Sequence, residues 1–390
     1  MWQPSIMEGD SLMRIAIVSR AENVSGKEIM TLELGEGLRR EGHAVEFVTS
    51  FWNDGSYETR LKDLGFAVDR MELGSISATM RWDCLRMTTA QMLHLPRLWE
   101  SYRRFMRENQ PEHVIHTSWH HLLLLFPLLT SRRDWYWVHE ILPDKAHYVW
   151  TFGWLSKRLR GFVAVSNAVR DSLLRLGIPE NKIRVIHNGI KDIVHTVVPL
   201  PRNDGAIRIG IVGQVEEWKG HHSLLEAFAK MADSHPDAEV HVFGSGSPLY
   251  IARLKQQAAE LNIAERVFWH GFVTDRSLIF SSIDVCAVPS CFEEPFGLIA
   301  IEAALFSLPV VAFNRGGLPE IIQDGSTGFL IEAGNHNVLA AKLSDLLDDA
   351  ELRQRFGTTA RSHVMNHFSN KKFVSGFIQV MTPPENKNPE

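Results

Sequence analysis

Residues 284–302 read DVCAVPSCFEEPFGLIAIE, and the stretch changes character twice. DVCAV is short, apolar and β-branched, which predicts a buried strand. PSCFEEPFG carries the prolines and glycine of a loop, and from Gly297 onward the chain reads as a helix. Two carboxylates bracket the turn. Glu294 sits in the loop and Glu302 about one and a half turns into the helix, so both reach one ligand at the top of a sheet. A carboxylate has two acceptor oxygens and suits a vicinal diol such as a ribose or hexose. Gly297 lets a ligand approach the backbone, and the N–H groups of Phe296, Gly297 and Leu298 open a helix start that favours phosphate. On spacing alone, the pair reads equally as two surface glutamates flanking a helix.

The same strand–loop–helix unit recurs on both sides, which predicts an α/β fold with parallel sheets covered by helices. One series opens at Arg14–Ser19 (RIAIVS), with a helix near 27–41 and strands near 44–49, 113–116, 134–138, 162–165 and 183–186. The other opens at Ile207–Val212 (IRIGIV), with strands near 239–243, 266–269, 284–288, 309–312 and 328–331. Residues 193–206, with Pro199, Pro201 and Gly205, break the pattern as a linker. The expected organisation is an extension over 1–13, a Rossmann-like domain over 14–192, the linker, and a second such domain over 207–366. A helix over 367–380 returns to the first domain, and a disordered tail covers 381–390. Two doubly wound domains joined in this way leave a cleft lined by the loops after each strand.

Composition excludes several classes. The 390 residues are 45% hydrophobic and 22% charged, and no run approaches the ~18 apolar residues of a spanning helix. The first 13 residues lack the basic start of a secretory signal. Cys84, Cys286 and Cys291 have no metal-ligand spacing, which fits a reducing, cytoplasmic setting. The net charge of −5 and the absence of a recognition motif exclude nucleic acid as a partner. Residues 1–200 nevertheless carry 25 Lys+Arg against 23 Asp+Glu and nine of the eleven tryptophans. That half is the candidate for peripheral contact with an anionic membrane, through the stretch Arg86–Arg107, where Leu95, Leu98 and Phe105 oppose Arg97, Arg103, Arg104 and Arg107. A solvated basic face over core tryptophans explains the same pattern.

Residues 293–302 (EEPFGLIAIE) carry a Glu-x7-Glu element, with VPS before it and LPVVAFNRGGLPEII after. In these features the chain resembles glycosyltransferase family 4, whose members are retaining GT-B enzymes. The resemblance implies two Rossmann-like doubly wound domains facing each other across a cleft. It implies transfer of a hexosyl unit from a UDP- or GDP-sugar, bound by the C-terminal domain, to a glycan or lipid-linked acceptor in cell-surface polysaccharide or glycolipid assembly. Glu302 would hold the donor ribose, Glu294 the transferred sugar, and the backbone at Phe296, Gly297 and Leu298 the sugar or phosphate. Lys219, in Gly213–Gly220 (GQVEEWKG), is a point charge suited to a diphosphate, although alone it reads as an exposed lysine. Gln214 stands where the family frequently has Arg.

By the same resemblance Gly244 and Gly246 lie beside the nucleotide, Phe272 and Val273 near its base, and Gly316, Gly317 and Glu320 along the opposite wall. Glycines after strands also serve turns alone. Gly26 would face the donor phosphates and His139 the reacting sugar. The chain contains no Asp-x-Asp, so the expected reaction is metal-independent and needs no cofactor. Two alternatives share the fold: a nucleotide-sugar epimerase, and a non-catalytic subunit, which Gln214 and the altered Gly26 loop keep open.

Overall fold

A computed structural model describes residues 12–19, 24–74, 82–192 and 205–382. Most of the expected extension, most of the 193–206 linker and the tail from 383 lie outside them. The chain divides into two compact units. The first comprises the chain up to Val165, Arg170–Ile186 and the chain from Phe373. The second comprises Ser166–Val169 and His187–Lys372, so its boundary precedes the 193–206 segment.

The first unit is a seven-stranded parallel sheet: β1 (Arg14–Val18), β2 (Ala44–Ser50), β3 (Val68–Met71), β4 (His113–His116), β5 (Asp134–Val138), β6 (Gly161–Ala164) and β7 (Ile183–Val185). Their order is β3-β2-β1-β4-β5-β6-β7. Strands β4, β5 and β6 are buried along their whole length, because helices cover both faces of a parallel sheet. Strand β3 (VDRM) was not expected. It lies at the sheet edge with Asp69 and Arg70 exposed, so its sequence lacks the apolar run that marks the inner strands.

The helix Asn370–Met381 belongs to this unit from Phe373 onward. Phe373 and Phe377 pack on Trp137 with ring centroids 5.7 and 5.0 Å away. Gly37 makes room for the same helix, since a Cβ there would lie 2.2 Å from Val374 Cγ2. The helix Trp82–Asn109 changes the expected role of the stretch 86–107. Of the three residues assigned to a membrane, Leu98 and Phe105 are buried in the unit together with Tyr102, and Leu95 is half-buried. Arg97, Arg103, Arg104 and Arg107 are exposed, so this helix presents charge outward and keeps its apolar stripe for the core.

The second unit is a six-stranded parallel sheet: β8 (Ile207–Val212), β9 (Ala238–Phe243), β10 (Val267–Gly271), β11 (Val285–Val288), β12 (Val310–Phe313) and β13 (Gly328–Ile331). The order is β10-β9-β8-β11-β12-β13. Its core gathers Phe228, Val240, Phe313, Leu339 and Leu343 between sheet and helices. β8 pairs with β9 on one side and β11 on the other, with register Val285↔Ile209. The connection therefore reverses direction at β8/β11, which is where loops diverge and leave a crevice in open α/β sheets.

Candidate functional site

That switch point brings together the two segments singled out from sequence. After β8 the chain runs through Gly213 and Gln214 into a short 3-10 turn, Glu217–Lys219. Gly220 ends the turn at φ 74°, and a Cβ there would stand 1.8 Å from the Pro289 carbonyl, so only glycine lets this turn lie against the end of β11. Cys291 N–H donates to the Trp218 carbonyl at 2.8 Å and fastens the two loops. The outcome is an ion pair between Lys219 Nζ and Glu294 Oε1. Ser290 Oγ donates to the same oxygen at 2.8 Å, and the Trp218 ring centroid lies 4.0 Å from Nζ.

Glu302 stands on the helix Leu298–Leu305, whose N-cap is Gly297 at φ 108°. A glycine makes no side-chain cap, so the first turn is closed only by Ala300 N–H donating to the Gly297 carbonyl at 2.9 Å. The Glu302 side chain is largely buried, and its Oε2 has no hydrogen bond; Arg276 Nε stands 3.5 Å away. Desolvation raises the Glu302 carboxyl above its ordinary range, and Arg276 offsets part of that rise. Glu294 and Glu302 are thus two unlike acids, one neutralised by a lysine and the other held with an unused acceptor.

Glycines set the backbone around these groups. A Cβ on Gly244 would lie 1.7 Å from the Gly213 carbonyl, and one on Gly246 would lie 2.0 Å from that of Val215. Gly316, at φ 58°, would place a Cβ 2.0 Å from the Glu294 carbonyl, which itself accepts from Gly317 N–H at 2.8 Å. The Gly316-Gly317 turn therefore supports the Glu294 loop from beneath. Phe296 is buried and stacks with His187, so what it can offer a ligand is backbone. Gln214 and Phe272 are exposed and Val273 is half-buried.

Glu320 differs from expectation. Its carboxylate accepts from Asn167 N–H at 2.9 Å, Asn167 Nδ2 at 2.7 Å, Ala168 N–H at 3.2 Å and His187 Nε2 at 2.7 Å. Burial raises its carboxyl, yet the hydrogen bonds from His187, Asn167 and Ala168 lower it overall. An acid so fully engaged fixes the chain at 166–169 rather than lining a pocket.

In the first unit, His139 follows β5, 4.2 Å from the Trp137 ring. Burial, with Lys27 adding to it, holds its imidazole well below the usual range, so the ring is neutral, and Nε2 has no hydrogen bond. Gly26 begins the helix Gly26–Arg40, whose start is a capping box. The Glu28 carboxylate takes Ser25 N–H at 3.2 Å. A phosphate arriving there would meet a carboxylate already in place, which weighs against the phosphate role expected of Gly26.

Two family models cover this chain in succession. Glycosyltransferase Family 4 matches residues 24–192, and Glycosyl transferases group 1 matches residues 197–363. The chain belongs to glycosyltransferase family 4.

Among curated relatives of this family 4 protein, D-inositol 3-phosphate glycosyltransferase of Corynebacterium diphtheriae is 37% identical over 164 residues, 40% of this chain and 38% of that protein. Glycogen synthase of Mycobacterium tuberculosis is 29% identical over 249 residues, 63% of this chain and 58% of its own length. These matches span between about a third and three fifths of the relatives' lengths. The solved structure of HepE from Anabaena, in complex with UDP and glucose, covers 95% of this chain and 99% of its own, with a TM-score of 0.77 at 19% identity. That likeness shows the GT-B fold.

Two residues of this family 4 protein's site were not singled out in the sequence. Ser290 is a buried polar residue in the loop two positions after β11, a signal present in PSCFEEPFG. Arg276 lies after β10, and no local spacing connects it to Glu302.

Proposed function

We propose that this protein is a retaining hexosyltransferase that takes its donor, a UDP- or GDP-sugar, in the second unit. The observation that carries this is the juxtaposition, at the β8/β11 switch point, of an acid paired with Lys219 and a second acid that faces Arg276 at 3.5 Å with no hydrogen bond on Oε2. Glu302 takes the ribose hydroxyls, for which its Oε2 has no hydrogen bond inside the protein, and Glu294 meets the transferred sugar. Lys219 and the uncapped helix start at Gly297 are the positive groups for the diphosphate as charge accumulates on the leaving oxygen. In this role they replace a metal, and no cofactor is needed. Retention follows by front-face attack, a donor oxygen taking the acceptor proton. HepE binding UDP and glucose supports a UDP-sugar. The acceptor is a glycan or lipid-linked intermediate of cell-surface polysaccharide or glycolipid assembly, met in the cytoplasm.

The test is incubation with UDP-glucose, UDP-galactose, UDP-N-acetylglucosamine and GDP-mannose, with and without acceptor, followed by NMR. Slow donor hydrolysis that releases the α-anomer first supports the proposal. An epimerised nucleotide sugar from donor alone establishes the isomerase instead, and nucleotide binding without any turnover establishes a non-catalytic subunit.

Peripheral membrane contact has a specific basis in the helix Ala146–Leu155. Trp150 is 70% exposed and Trp154 41%, their rings stacked 6.0 Å apart, with exposed Lys145, Lys157 and Arg158 flanking them. Indole rings framed by cations match an anionic lipid surface. Among the described residues no helix is long and apolar enough to cross a membrane.

A further inference from the structure

A group of side chains at the carboxyl ends of β4 and β5 takes no part in donor binding. Glu140 follows His139 and is exposed. Tyr136, wholly buried in β5, donates its hydroxyl to Glu140 Oε1 at 3.3 Å and lies against the Trp119 backbone. Trp119 opens the short helix after β4 and is half-buried. Its ring stacks on His120 at 3.8 Å and meets Tyr148 edge-on at 5.7 Å. Tyr148 stacks with Phe152 at 6.2 Å, which braces it from behind.

The chemistry of this group is selective. Tyr136 fixes the Glu140 carboxylate from one side and leaves its other acceptor positions open. Desolvation of the carboxyl raises Glu140, with Lys27 and the Tyr136 hydrogen bond opposing. Beside it stand two half-buried aromatic rings with an apolar face and no charge. A phosphate is repelled by the carboxylate, and a hydrocarbon chain leaves the carboxylate unsatisfied. A pyranose satisfies both, with an apolar C–H face for the rings and vicinal hydroxyls for the acid.

We propose that Glu140, Trp119 and Tyr148 form a hexopyranose-binding subsite, with the sugar ring against Trp119 and Tyr148 and two hydroxyls on Glu140. Its assignment as the acceptor subsite rests on the transferase reading above, and it makes the acceptor end in a hexose.

Saturation-transfer NMR on the full chain tests it, with methyl α-D-glucopyranoside, methyl α-D-galactopyranoside and methyl α-D-mannopyranoside as probes and UDP as internal reference. The wild type transfers saturation to at least one pyranoside. Glu140→Gln lowers that signal at least fivefold and Trp119→Ala abolishes it, while Trp119→Phe retains most of it and UDP is unchanged throughout. Equal pyranoside signals in wild type and Glu140→Gln overturn the subsite, as does a wild type that binds UDP and no pyranoside. A wild type that binds pyranoside through Glu140 but not UDP keeps the subsite and removes the donor reading instead.

Discussion

Lys219 and Glu294, 75 residues apart in the chain, share an ion pair on Oε1 while Ser290 donates to the same oxygen. Both side chains are largely buried, and the ion pair offsets the burial of each. Lys219→Ala leaves a buried carboxylate with only Ser290 and lowers stability by about 3 kcal/mol. The double variant Lys219→Ala/Glu294→Ala recovers part of that loss, as read by urea denaturation. Under the proposed role of Lys219 at the leaving diphosphate, the same Lys219→Ala variant lowers kcat by about 10²–10³-fold. A single variant that unfolds no earlier than the double one contradicts the pairing.

Glu302 makes the opposite prediction for stability. Its carboxyl is raised by desolvation, so the folded state holds a proton that the unfolded state has released. The resulting stabilisation is complete below the unfolded value near 4.5 and is lost as pH rises through the folded value. Glu302→Gln removes the cost of the buried charge. It is expected to melt ~2–4 °C higher than wild type at pH 8, for a gain of ~1 kcal/mol, and at the same temperature at pH 4. Calorimetry at the two pH values checks this. Under the proposed donor-binding role of Glu302, donor turnover falls in the same variant.

The glycines after the strands divide by what surrounds them. Gly244→Ala sets a Cβ 1.7 Å from the Gly213 carbonyl, against backbone that has no rotamer to yield, at φ 154°. Gly334→Ala has a positive φ of 84° with nothing within 4 Å. The second costs ~1 kcal/mol in backbone strain and the first ~3 kcal/mol or more. Thermal denaturation of the two variants should separate them, and equal melting points would remove the close-approach argument.

Membrane contact through Trp150 and Trp154 predicts sedimentation with phosphatidylglycerol vesicles at low salt, lost in Trp150→Ser/Trp154→Ser. Arg103→Gln/Arg104→Gln, on the helix whose apolar face is internal, weakens it slightly. Equal sedimentation of wild type and the tryptophan variant rejects the patch.

Much of this was legible because the inner strands of parallel sheets are apolar on both faces. RIAIVS, IRIGIV and DVCAV announce themselves, whereas VDRM does not, since β3 is half solvated at an edge. The pairing of Lys219 with Glu294 was not legible, because the placement of β8 beside β11 is a matter of strand order rather than local pattern. Ser25-x-x-Glu28 was present as a capping-box signature and weighs against a phosphate at Gly26. Trp119, Tyr136, Glu140 and Tyr148 are scattered over one strand, the loop after it and two helices, and only the fold brings them together. Glu320 misled because a conspicuous acid beside paired glycines has the same appearance whether it binds a ligand or the chain itself.

Isothermal titration with UDP addresses the donor site without requiring the acceptor. The wild type should bind UDP. Glu302→Ala should weaken binding about 10–100-fold, the ~1.5–3 kcal/mol of hydrogen bonds to a charged acceptor, while Glu293→Ala, at the exposed neighbouring acid, leaves it unchanged. Wild-type affinity in Glu302→Ala would contradict the account.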